Sequence, residues 1–226
     1  MTKHMLRDLD RLRDSVLKMA GYVEDAVHSA TRAVVARDPD AARAVLGGDT
    51  EIDELENLLQ EDCLNILALH QPVAKDLRRI GTVMLITTDL ERMGDLAVGI
   101  AERAIELSHP PHVPIPDRLE QMTARATAMM RLALDAFVNE DAAAARAVIG
   151  MDDDVDRDND ELILHAINEM KRSPERVEAG VALFSIVRHV ERIADHATNI
   201  AEDVIFLVEG AIVRHRHDEV VAAVGR

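Results

Sequence analysis

The chain has 226 residues, enough for one or two domains with a substantial core. Aromatic residues make up 2%, so the apolar weight falls on Ala, Val, Leu, Ile and Met, the composition of packed helices rather than of a sandwich or barrel. A formal net charge of -16 excludes a dominant nucleic-acid role and opposes adsorption to anionic lipid, since both need a surplus of Lys and Arg.

The single cysteine, Cys63, excludes an intrachain disulfide framework and a cysteine zinc site, and is expected to be a small core residue. No apolar run reaches the roughly 18 residues that span a bilayer, so no direct membrane insertion is expected. The charged N-terminus lacks the apolar segment of a signal peptide, and the expected location is cytoplasmic.

Breakers divide the chain into six predicted helices, near 5–37, 39–70, 73–108, 116–139, 141–172 and 174–209. Asp38-Pro39 and Ser173-Pro174 read as an N-cap followed by Pro at the first helical position. Gln71-Pro72 marks a turn, and Pro110, Pro111, Pro114 and Pro116 crowd one linker. A charged tail, including His215 and His217, follows Gly210.

The third and sixth helices carry clean heptads. Val83, Leu90, Ala97 and Ala104 alternate with Ile86, Met93, Ile100 and Leu107; Leu183, Val190, Ala197 and Val204 alternate with Ile186, Ile193, Ile200 and Leu207. Such stripes predict bundle seams, with the methionines as core filler.

The chain also repeats itself. Residues 38–53 match 141–156 at an offset of 103 with nine identities in sixteen, and residues 83–102 match 183–202 at an offset of 100 with eight in twenty. A period near 100 is too long for a solenoid unit and fits a duplicated three-helix bundle. The predicted fold is therefore all-α, two tandem three-helix bundles, with repeats over 1–109 and 115–226.

The repeat preserves acids. Asp49/Asp53 and Asp152/Asp156 open the second helix of each half, and Glu91/Asp95 and Glu191/Asp195 lie in the third. A spacing of four puts each pair on one helix face. Counting from the intervening turns places both pairs of a half about 20 residues away, hence at one level of an antiparallel hairpin. The heptad puts Glu91 and Glu191 at b, and Asp95, Asp195, Glu102 and Glu202 at f, which predicts clusters on the bundle surface. Crowded carboxylates repel, and a hard divalent or trivalent cation relieves them. The plain alternative is a solvated acidic face, with Arg92 and Arg192 satisfying part of it by salt bridging. His189 and His196 flank the second cluster in one copy only and are expected to be surface residues, like His28 and His165.

Two three-helix halves with acidic x-x-x-Asp motifs on their second and third helices resemble the PhoU family, the accessory and regulatory proteins of the phosphate-specific transport system. The most specific part is Asp89–Glu102 echoed by His189–Glu202. The resemblance implies a non-enzymatic, cytoplasmic homodimer that represses the phosphate-starvation response when phosphate is plentiful. It would link the phosphate ABC transporter to a sensor histidine kinase and its response regulator. It also implies multinuclear metal, iron foremost, with zinc, manganese or magnesium as other candidates. By position, one cluster would use Asp49, Asp53, Glu91 and Asp95, the other Asp152, Asp156, Glu191 and Asp195, with Glu102 and Glu202 as further ligands.

Three other readings stay open on the residues: an accessory of another phosphate carrier, a metal-free scaffold, and a carboxylate-bridged di-metal enzyme. The enzyme lacks support, because such a site needs two Glu-x-x-His motifs aimed into the core, whereas Glu106/His109 is a single instance at the edge of the proline linker and the paired acids face away from the seam.

Overall fold

The computed structural model describes residues 3–211. The tail residues His215 and His217, and the end of the second predicted repeat, lie outside the described residues. Six long helices and two short ones follow in chain order: α1 (Lys3–Ala36), α2 (Pro39–Gly47), α3 (Thr50–His70), α4 (Ala74–Leu107), α5 (Arg118–Asn139), α6 (Ala142–Ile149), α7 (Asp152–Arg172) and α8 (Val177–Glu209). Each half is the predicted three-helix bundle with one extra short helix after its first long one.

The short helices correct the second and fifth predicted helices, each of which is two helices. The break falls at Gly47-Gly48 in the first half and at Gly150-Met151 in the second. Gly48 caps α2, its N–H donating to Val45, and Gly150 caps α6, donating to Arg146 and Val148. The chain turns at each cap and restarts as α3 or α7. The caps at the other ends hold as predicted for Asp38, whose carboxylate accepts from the backbone N–H of Asp40 and Ala41 at 3.0 Å each. Asp141 does the same for Ala143 and Ala144 in the second half. Ser173 makes no side-chain cap, and the chain there passes through one 3-10 turn, Pro174–Arg176, before α8.

Both heptad stripes are buried throughout, and Cys63 is fully enclosed. Burial, aided by Asp62, pushes the Cys63 thiol up to about 12, so it is an inert packing group. Met19, Met93, Met122, Met129 and Met130 are core residues.

The halves join along α4 and α8, which run antiparallel. Across this seam His196 Nδ1 meets Asp89 Oδ1 at 2.8 Å, and the ring of His189 packs on Gly99, where a Cβ would stand 2.7 Å from the imidazole Cε1. Neither histidine is the surface residue predicted from its one-copy occurrence. Each fills a place that the first half leaves to the partner helix. His28 and His165 are also engaged, His28 near Thr127 of the other half and His165 on the carbonyl of Pro114. Arg37 ties down the linker by donating to the carbonyls of Leu107 and Val113. The equivalent residue, Glu140, pairs with Lys75 and Arg79 of α4.

Candidate metal centres

In the first half, the turn at Gly48 delivers Asp49 to the start of α3, with Asp53 one turn further on. The start of α3 comes close to α4 where α4 carries Gly94. A Cβ at that position would lie 3.1 Å from Ile52 Cδ1 and 3.8 Å from Asp49 Oδ1. Glu91 and Asp95 flank this approach on α4. The carboxylates feel one another. Burial, then Asp53 and Asp95, raise the Asp49 carboxyl above the usual range. Glu91 is raised by burial, then by Asp95, Glu56 and Asp53, with Arg92 opposing.

The four predicted residues thus lie within electrostatic reach of one another, and Glu56 also acts on Glu91. Glu56 lies three residues beyond Asp53 on the same face of α3; that spacing was a legible signal in the sequence. Arg92 approaches Glu91 at 3.6 Å and Asp95 at 4.0 Å, but its side chain is 58% exposed, so this loose pairing neutralises little.

In the second half, Asp152 is the first residue of α7 and Asp156 lies one turn on. Glu191 is raised by burial and then by Asp195, with Arg188 opposing and Asp156 adding. Asp195 is raised by desolvation and then by Asp156. Arg188 donates to Glu191 Oε1 at 3.0 Å, while Glu191 Oε2 is buried without a hydrogen-bond partner. The residue equivalent to Glu56 is Asn159, which is buried with its Oδ1 unpartnered.

Two placements differ from expectation. The b-position glutamates are sunk between helices, with Glu91 20% and Glu191 13% exposed at the side chain. The aspartates Asp53, Asp95, Asp156 and Asp195 are exposed. Glu202 is buried, not on the surface, because α8 is central and packs against α4, α5, α6 and α7, which leaves its f position no free face. Glu102 is exposed, two turns beyond Asp95, and its charge acts on Arg103 and His189.

As they stand, no three His, Cys, Asp or Glu side chains among the described residues converge closely enough to hold an ion. The chemistry of each donor set nevertheless fits one. All donors are carboxylate oxygens, the preference of hard cations. Burial first, and then the neighbouring carboxylates, raise the proton affinities of Asp49, Glu91, Glu191 and Asp195, and one buried oxygen, Glu191 Oε2, lacks any donor.

The architecture defines an all-helical protein of two tandem repeats joined along a central helix pair. A PhoU domain model matches residues 16–104 and again residues 119–204. Phosphate-specific transport system accessory protein PhoU homologs from Aquifex aeolicus and Pseudomonas putida are 37% and 36% identical to it. Those alignments cover 94% and 92% of this chain and 96% and 82% of the two relatives. The crystal structure of PhoU from Pseudomonas aeruginosa superposes with a TM-score of 0.85 at 35% identity, over 91% of this chain and 99% of that one. The phosphate transport system regulatory protein PhoU from Streptococcus pneumoniae gives 0.86 at 28% identity, over 92% and 99%. The chain belongs to the PhoU family of phosphate-transport accessory and regulatory proteins, which is not a family of enzymes. No helix among the described residues is long and apolar enough to cross a membrane.

Proposed function

We propose that the protein is a metal-responsive adaptor of phosphate uptake. It would work in the cytoplasm as a homodimer. It reports the state of the phosphate ABC transporter to a sensor histidine kinase and its response regulator, and holds the response down when phosphate is plentiful. The observation that carries the metal part is that the Asp-x-x-x-Asp and Glu-x-x-x-Asp pairs of each half act on one another electrostatically, with Asp49, Glu91, Glu191 and Asp195 raised by burial first and by neighbouring carboxylates second.

Asp49, Asp53, Glu91 and Asp95 would hold one centre, with Glu56 beside them; Asp152, Asp156, Glu191 and Asp195 would hold the other. Glu102 and Glu202 stand outside both sets. A bound di- or trivalent cation supplies positive charge that cancels the repulsion. The chain's own contribution is to keep the glutamates between helices and the aspartates outward, so that loading changes the charge of a surface partners can reach. Iron is the leading candidate, with manganese, magnesium or zinc as alternatives.

Elemental analysis of untagged protein, paired with pull-downs against the kinase and transporter components, tests this. Metal is expected in wild type and lost from Glu91→Ala/Asp95→Ala and Glu191→Ala/Asp195→Ala together, with loss of partner capture. Metal-free wild type, or full capture by the quadruple variant, contradicts the reading.

A further inference from the structure

A groove runs along α1 from Tyr22 to Ala36, about 21 Å at the helical rise, walled by α2 and the start of α3 and floored by Gly94 and Val98 of α4. It encloses about 540 Å³ and is open along one side. Its walls are mostly apolar and small. Its polar lining is one-sided, with the carboxylates of Asp25, Asp38, Asp49 and Glu51 against the one guanidinium of Arg32. Arg32 is turned to Ser29, to whose hydroxyl it donates at 3.1 Å.

The second half supplies an internal control. The equivalent depression between α5 and α6 holds only about 190 Å³. Met151 stands where the first half has Gly48, and Leu132 where it has Ser29. Nothing in the backbone demands glycine at 48. Its φ is -93°, and a Cβ there would meet only the carbonyls of Val45 and Ala44, at 3.6 and 3.7 Å. The first half thus leaves open a space that the same fold closes in its second copy.

We propose that this groove receives an amphipathic helix of a partner protein, its apolar stripe lying along α1 and its flanking lysines or arginines meeting the acidic lining. Four turns of wall suit a helix laid in a groove, and the charge imbalance selects a basic one. The proposal rests on the adaptor reading for the existence of a protein partner, and not on metal.

The probe is a fluorescein-labelled 18-residue model helix with a leucine stripe and lysine flanks, beside a twin with glutamate flanks. Both are titrated by anisotropy in EDTA at physiological salt. The lysine-flanked helix is expected to bind wild type at least tenfold more tightly than Ser29→Leu/Gly48→Met, which fills the groove without changing charge. The glutamate-flanked twin is expected to bind weakest. Asp25→Asn/Glu51→Gln keeps the groove open and should remove the preference for lysine, which decides the matter if the filled variant does not fold. Equal binding by wild type and the filled variant, or an unchanged lysine preference in Asp25→Asn/Glu51→Gln, overturns the proposal. Binding that appears only when EDTA is replaced by Mn²⁺ overturns it while leaving the metal reading intact.

Discussion

The two halves use one plan and solve its local problems differently. At the acidic site, the first half gathers five carboxylates, Asp49, Asp53, Glu56, Glu91 and Asp95, with only an exposed Arg92 nearby. The second half puts neutral Asn159 in place of Glu56 and a hydrogen-bonded Arg188 in place of Thr88. The first site is the more negative; the second is the better buried at its glutamate and, despite Arg188, keeps two unpartnered oxygens, Glu191 Oε2 and Asn159 Oδ1. At the central seam the asymmetry is of another kind. Leu96 and Asp89 in one half answer to His196 and His189 in the other, and Asp89 meets His196 across the join. Duplication thus preserved the paired acids while the neighbouring positions specialised for contact between the copies.

The largest test of that divergence is in packing. Gly180 occupies the position of Ile80, and a Cβ there would stand 2.4 Å from Met170 Cγ and 3.3 Å from the carbonyl of Ala166. Gly180→Ile, which restores the first-half residue, is expected to destabilise the protein by about 1–3 kcal/mol or more in urea unfolding, because a filled core must distort to admit it. An unchanged midpoint would show that α7 and α8 are less tightly joined than their first-half counterparts.

Charge at the acidic sites comes next. Asn159→Glu should tighten Mn²⁺ binding at the second site on the order of tenfold, and Glu56→Asn should weaken the first by a similar factor, as ligand charge tunes hard-cation sites. Calorimetric titration of each variant, with the other site disabled, measures both. Equal affinities throughout would remove Glu56 from the site.

The smallest effect is in pH dependence. Glu191 and Asp195 hold protons more strongly when folded than at their ordinary values of 4.5 and 3.8. The folded state therefore takes up protons first as pH falls. Metal-free stability from these groups rises from neutral pH downwards and levels off below the ordinary values. Glu191→Gln/Asp195→Asn should accordingly raise the Tm in EDTA at pH 7, with the advantage shrinking towards pH 4. A constant advantage would locate the effect in packing instead of ionisation.

Most of the frame was legible in the sequence because heptads and breakers act locally. The seams at Val83–Leu107 and Leu183–Leu207, the Asp38 cap and the turn at Gln71 all stand where the pattern placed them. The acid pairs of each half come within electrostatic reach because residue counts along two straight helices translate into heights. The parts that were not legible depend on neighbours distant in sequence. A heptad letter describes a helix with one partner, and α8 has four, so Glu202 is buried at a position that would otherwise be outward. His189 and His196 looked unmatched because their partners, Gly99 and Asp89, belong to the other repeat.

The contacts of Asp89 with His196 and of Gly99 with His189 set the Glu91–Asp95 turn level with the Glu191–Asp195 turn, one on each side of the α4–α8 seam. With α3, α4, α8 and α7 side by side, the two clusters are separated by about two interhelical spacings, on the order of 20 Å. That exceeds twice the Debye length at physiological ionic strength. If each cluster takes up a cation as proposed, filling one would leave the field at the other nearly unchanged. Under the proposed metal reading, the molecule would shed its negative charge in two independent increments, as a graded gauge of supply rather than an all-or-none trigger.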